Sequence, residues 1–209
     1  MKERPLVAIY ADESCIGNGR EGDNPGGAAG LVEWKSPKTG KMTLRDYWIS
    51  EPATTNNRMA LRSVIEAFRA LSAKGESFDV VFTSDSKYIV EGMKAWRHSW
   101  KKAGWKKKGG PIKNLELWQV ADMVVEPHRV DWRWVKGHNA QAQNEYANFL
   151  AMRAARSQTA SDGLEPSRLH EWLAEERSKG RMHRDPDPFP DPVVFGNLPL
   201  RRATSARPE

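Results

Sequence analysis

The stretches "LVAIYADES" (Leu6–Ser14) and "FDVVFTSDS" (Phe78–Ser86) decide the fold. Each is a short apolar run, rich in β-branched and aromatic residues, and each closes on an acid, Asp12 in one and Asp85 in the other. A lone Asp at a strand end is ordinarily a cap or turn former, and Asp85 before Ser86 can serve as one. Two strands ending this way can also deliver both carboxylates to one cleft at a sheet edge.

Around these runs, strands and helices alternate. "GGAAGLVEW" and "MTLRDYWIS" read as two further strands joined through the turn-forming "SPKTGK". A helix from about 57 to 73 offers Met59, Leu61, Ile65, Phe68 and Leu71 to a core. After Asp85 come a helix starting near Ser86, a Trp/Lys segment and a helix around 115–125. "HRVDWRWVKGH" is a fifth strand, predicted to turn Val130, Trp132 and Trp134 to one face, and a last helix runs over about 143–156. There is no internal repeat.

Hydrophobic content of 39% and charged content of 29% in 209 residues describe a soluble globular chain, long enough for one domain with additions. No apolar run approaches the ~18 residues that span a bilayer, so no membrane association is expected. "MKERPLVAIYADES" lacks the apolar core of a leader, and Cys15 has no internal partner. A cytoplasmic location and a monomer are the expectations. Net charge of +6 and a pI of about 9.5 suit a polyanionic partner, but charge alone does not decide between that and simple solubility.

The distribution of charge says more. "KAWRHSWKKAGWKKKGGPIK" (94–113) interleaves Trp96, Trp100 and Trp105 with Lys101, Lys102, Lys106, Lys107 and Lys108. Trp96 and Trp100 share a helical face, leaving the lysines to solvent or to a phosphate backbone. Core-packed tryptophans beside a solvated charge run are the plainer reading, and the two are compatible.

Beyond Ser157 the composition shifts. "SQTASDGLEPS" reads as a linker, and a short helix is expected at about 166–179. The Pro-rich remainder reads as a largely disordered tail, able instead to dock through Phe189, Val193, Val194 and Phe195 or to engage a protein partner. The division is therefore 1–156 and an extension of 157–209.

Together "ADESCIGN", "NPGGAAG", "TTNNRMAL", "TSDSKYIVEG", "WKKAGWK", "LWQ" and "WRWVKGHNAQAQNE" resemble, in order, the motifs of the type 1 ribonuclease H family over about Leu6–Arg156. The resemblance implies an α/β fold, a five-stranded mixed sheet flanked by helices with a basic helical protrusion. It implies binding of RNA/DNA hybrid or a related duplex, and cleavage of the RNA strand with Mg²⁺ or Mn²⁺. Carried over, the family's four metal-site acids fall on Asp12, Ala60, Asp85 and Asn148, so two are replaced. His138 takes the place of the family's mobile histidine. Cys15, Asn18, Thr55, Asn56, Asn57 and Lys87 fall at hybrid-facing positions, together with the protrusion's Trp96, Trp100, Lys101, Lys102, Trp105 and Lys106.

Ala60 offers no ligand atom and Asn148 only a neutral carbonyl, so Asp12, Asp85 and Asn148 are expected to bind metal weakly. Glu13 stands where the family has glycine, but neighbours in a strand point to opposite faces. Glu66 falls on a different helical face from Ala60 and Glu145 heads the last helix, so Glu13 is the one to watch, since a strand end can twist. Three readings follow: a hybrid-binding relative whose cleavage is weak or lost; an active Mg²⁺-dependent ribonuclease H with a modified ligand set; and a non-catalytic interaction domain working through its extension. The absent carboxylate at Ala60 favours the first.

Overall fold

The computed structural model describes residues 4–17, 24–137, 140–191 and 195. Its centre is a six-stranded sheet in the order β5-β4-β1-β2-β3-β6. The strands are β1 (Leu6–Cys15), β2 (Gly26–Lys35), β3 (Met42–Glu51), β4 (Asp79–Ser84), β5 (Arg129–Trp134) and β6 (Glu165–Pro166). β1, β4 and β5 are parallel, and the β1–β2, β2–β3 and β3–β6 pairs are antiparallel.

Alternation along β1 divides the core. Val7, Ile9 and Ala11 lie under α1 (Asn56–Ser72) and α4 (Leu115–Val125), among Leu61, Ile65, Phe68 and Trp118. Ala8 and Tyr10 lie on the other face, under α5 (Ala142–Ser157), among Tyr146, Leu150 and Ala151. α1 begins at Thr55, whose side chain accepts from Arg58 N at 3.4 Å. It buries Met59, Leu61, Ile65, Phe68 and Leu71, the expected stripe.

The basic segment is one helical run: α2 (Lys87–Glu91), a π-helical turn at Gly92–Trp96, and α3 (Arg97–Lys102). The widened turn sits where Gly92 meets Trp118, since a Cβ there would come within 2.0 Å of the indole. Along β5 burial of the expected face fades toward the strand end. Trp132 is buried, whereas Trp134 is 45% exposed because it lies at the open strand end.

The sheet has six strands rather than five because the extension supplies the last. Ser161 N donates to Trp48 O (2.9 Å), and β6 then pairs with Arg45 and Asp46 of β3. α6 (Leu169–Ser178) buries Leu169, Trp172 and Leu173 against α5, extending the second core that Met182 and Phe189 also join. Phe195 is buried beneath Arg129, its ring 5.2 Å from the guanidinium. Val193 and Val194 lie outside the described residues. No helix among the described residues is long and apolar enough to cross a membrane.

Candidate active site

The register fixes the acids. The last β1–β4 rung pairs Ala11 with Ser84, so Asp12 and Asp85 lie one residue beyond it, where β4 ends while β1 runs on beside β2 to Cys15. By alternation Asp12 turns toward α5, and Asn144 Nδ2 donates to its Oδ2 at 3.4 Å. Glu13 turns the other way, toward Tyr47 and the α1 face, and its carboxylate accepts from Ser86. The Glu13 N–H donates back to Asp12 Oδ1 at 2.7 Å. Asp85 stands past the end of the sheet, so its field reaches acids leaving either face. Gly137 makes room for it, since a Cβ there would sit 2.3 Å from Asp85 Oδ2.

Crowding shows in the proton affinities. Burial, then the Asp85 and Glu13 charges, push Asp12 up to about 9. Burial and the Asp85 charge push Glu13 up to about 8. A cation among these groups removes the repulsion and lets them ionise. Among the described residues, no three carboxylate, thiol or imidazole side chains converge tightly enough to enclose a metal ion by themselves. Mg²⁺ needs less, since it keeps several waters and takes one or two carboxylates together with substrate phosphates. The oxygen donors suit such an ion, and so does the buried Oδ1 of Asn144, which has no hydrogen-bond partner.

Ala60 is 1% exposed and belongs to the core with Ala11, while nearby Tyr47 Oη and Ser63 Oγ lie 2.8 Å apart. Asn148 is half-buried, one helical turn beyond Asn144 on the same α5 face. Glu145 adds a minor charge to the field at Asp12. His138 and Asn18 lie outside the described residues.

At the head of α1, Thr55 and Asn57 are exposed and Asn56 is half-buried with its Oδ1 unpartnered. Cys15 Sγ sits 3.6 Å from Asn24 O and 3.5 Å from Thr54 O, tying the end of β1 to that helix start. Lys87 Nζ lies 4.8 Å from the Trp134 ring, and Trp134 Nε1 donates to Asp85 O at 2.9 Å. The exposed indole therefore joins a cation to the backbone of a site acid.

The protrusion divides by chemistry. Trp96, Trp100, Tyr88 and Trp118 form one aromatic cluster, with Trp118 Nε1 donating to Tyr88 Oη at 2.8 Å. Trp105 packs against the same core, from a backbone at φ +61°. Lys101 is occupied internally, 2.7 Å from Asp122 and 3.4 Å from Glu126. Lys102, Lys106, Lys107 and Lys108 are exposed.

Sequence reasoning did not single out Ser86, Asn144 or Trp134 for the site. Asn144 lies inside the "NE" of a quoted motif, but its bond to Asp12 needs three dimensions. Trp134 was expected only to share a face of its strand with Val130 and Trp132.

The RNase H family model matches residues 4–156. The chain belongs to the RNase H family. Ribonuclease H of Vibrio vulnificus (strain YJ016) is 40% identical over 165 residues, covering 77% of this chain and 97% of that protein. Ribonuclease H of Shewanella amazonensis is 42% identical over 156 residues, 74% and 92% of the two chains. Among solved structures, LC9-RNase H1, described as a type 1 RNase H with the type 2 active-site motif, is 56% identical. It matches over 100% of both chains with a TM-score of 0.87. The foamy-virus (PFV) RNase H domain shares the fold at 18% identity, covering 74% of this RNase H and 97% of that chain (TM-score 0.60).

Proposed function

We propose that this RNase H is an active, divalent-metal-dependent endoribonuclease on RNA/DNA hybrids, with Glu13 replacing the acid that Ala60 lacks. The carrying observation is that Glu13 and Asp12, leaving opposite faces of β1, both lie in the field of Asp85. The expectation of weak or lost cleavage counted Ala60 as a missing charge. The carboxylate has moved from helix to strand, reaching the same cleft from the face that Ala60 lines. LC9-RNase H1, a type 1 RNase H with a type 2 motif, supports a rearranged acid set on this framework.

Asp12, Glu13 and Asp85 would hold Mg²⁺ or Mn²⁺, with Asn148 a neutral fourth oxygen donor. Bound there, the ion supplies Lewis-acid polarisation of the scissile phosphate and acidifies a water. The chain's own residues set the geometry. Asn144 orients Asp12, Ser86 orients Glu13, and Trp134 fixes the backbone at Asp85. Asn56 and Asn57 stand where a hybrid's minor groove, with its 2′-hydroxyls, would pass. Lys102 and Lys106 would neutralise backbone phosphates further along the duplex.

A labelled RNA/DNA hybrid, double-stranded RNA and double-stranded DNA, each incubated with the protein and Mg²⁺ or Mn²⁺, form the test. Cutting confined to the RNA strand of the hybrid is expected. Binding without cleavage in either metal would return the reading to a hybrid-binding relative with a spent centre.

A further inference from the structure

The helix that carries Asn144 and Asn148 starts without a side-chain cap of its own: its N-cap residue, Gln141, makes no capping bond. The Pro-rich segment after α6 holds this turn instead. Gln141 Nε2 donates to Asp187 Oδ2 at 2.7 Å. The Gln143 side chain pairs with the Asp187 backbone in both directions, Nε2 donating to O at 2.8 Å and Oε1 accepting from N at 3.0 Å. Gln143 is 0% exposed, so these bonds satisfy a buried amide that would otherwise be costly to leave unpaired. Arg184 Nη2 holds Asp187 Oδ1 at 2.7 Å from the solvent side.

The segment is suited to holding a position. Pro186, Pro188 and Pro190 fix φ around Asp187, which lowers the entropy lost on docking. Met182 and Phe189 anchor it to the second core on either side. The residue after Gln143 is Asn144, which grips Asp12. An unbroken chain of bonds therefore runs from the extension to the first acid of the site.

We propose that Arg184–Pro190 is an intramolecular clamp that positions the first turn of α5, and with it Asn144 and Asn148, against Asp12. The role rests on the ribonuclease reading above, and Asp187 is a positioning residue that touches neither substrate nor metal. Removing such a support from a metal site costs about 10–100-fold in metal affinity or activity.

The test compares the full-length protein with Asp187→Ala and Asp187→Asn by hydrogen exchange and by hybrid cleavage. Asp187→Ala is expected to speed exchange in a peptide covering 141–147 while leaving α6 unchanged. It should lower kcat about 10-fold, with KM for hybrid unchanged and more Mg²⁺ needed for half-maximal rate. Both variants keep the backbone pairing with Gln143, whereas Asp187→Asn also keeps an acceptor for Gln141 and is expected to restore both readouts. Unchanged exchange over 141–147, or faster exchange in every helix alike, would overturn the clamp. If the unaltered protein cuts no hybrid, the ribonuclease reading fails, and the exchange comparison still decides whether the clamp holds α5.

Discussion

Asp12 and Glu13 are neighbours in β1 that leave the sheet on opposite faces, yet both have their proton affinity raised by Asp85. The arrangement follows from where Asp85 stands: one residue past the last β1–β4 rung, it is flanked by both faces rather than covered by one. Opposite-face geometry, which argued against Glu13 in the sequence, is therefore no barrier where β4 stops and β1 runs on.

Charge at the site should set its appetite for metal. Asn148 contributes no charge, so Asn148→Asp is expected to lower the Mg²⁺ concentration giving half-maximal cleavage, by several-fold or more. Titrating the rate with Mg²⁺ for both proteins checks this. An unchanged midpoint would place Asn148 outside the metal's reach.

The lysines of the protrusion should not behave alike. Lys102, Lys106 and Lys107 are exposed, and their joint replacement by Ala should weaken hybrid binding and flatten the log–log salt slope by about 1 per lysine lost. Lys101→Ala should leave that slope nearly unchanged, because its ammonium already serves Asp122 and Glu126. Fluorescence anisotropy across a salt series separates the two.

Asp122 is 4% exposed and accepts from both Arg97 and Lys101, joining α4 to the protrusion. Asp122→Ala leaves the Arg97 guanidinium, itself 8% exposed, without its counter-charge. The expected cost is about 3–5 kcal/mol, read from urea denaturation. A change below about 1 kcal/mol would show that water replaces the carboxylate.

Stability should also fall in mild acid for a reason remote from the site. His128 is buried against Phe68 and Phe78, and its Nδ1 accepts from Phe78 N at 3.2 Å, so Nε2 carries the proton shared with Ser72. Burial, then Arg4, lower its pKa from 6.5 to about 4. The folded state therefore prefers the neutral ring. Below pH 6.5 the unfolded chain takes up a proton that the folded protein refuses, so this contribution is complete above 6.5 and drains away down to about 4. Melting temperatures from pH 7 to 4.5 should fall less steeply for His128→Phe than for the unaltered chain. Parallel slopes would remove His128 as the cause.

Much of this was legible in the sequence because local patterns carried it. The two strands ending in Asp12 and Asp85, the α1 stripe from Met59 to Leu71 and the motif order gave the fold and the family. The edge strand at Glu165–Pro166 was not legible, since two residues with no alternation become a strand only by lying beside Arg45 and Asp46. The exposure of Trp134 was not legible, because it comes from the indole's place at a strand end rather than from its periodicity. The Asp187 pairing with Gln143 links residues 44 apart in sequence, beyond any local pattern. Of the candidate site, the approach of Asp12 and Asp85 was readable, and Glu13 stood out as the acid to watch. Its place in the field of Asp85 was not readable, because a carboxylate can reach one point in space from different elements.

Replacement of the missing helix acid by Glu13 is tested by single-turnover cleavage of an RNA/DNA hybrid by Glu13→Gln in saturating Mg²⁺. Glutamine keeps the side chain's shape and its contact with Ser86 but not the charge. The predicted result is a rate at least ~100-fold below that of the unaltered protein, with hybrid affinity within a factor of about two. A Glu13→Gln protein that cuts as fast as the unaltered one would show that Glu13 does not replace the missing acid.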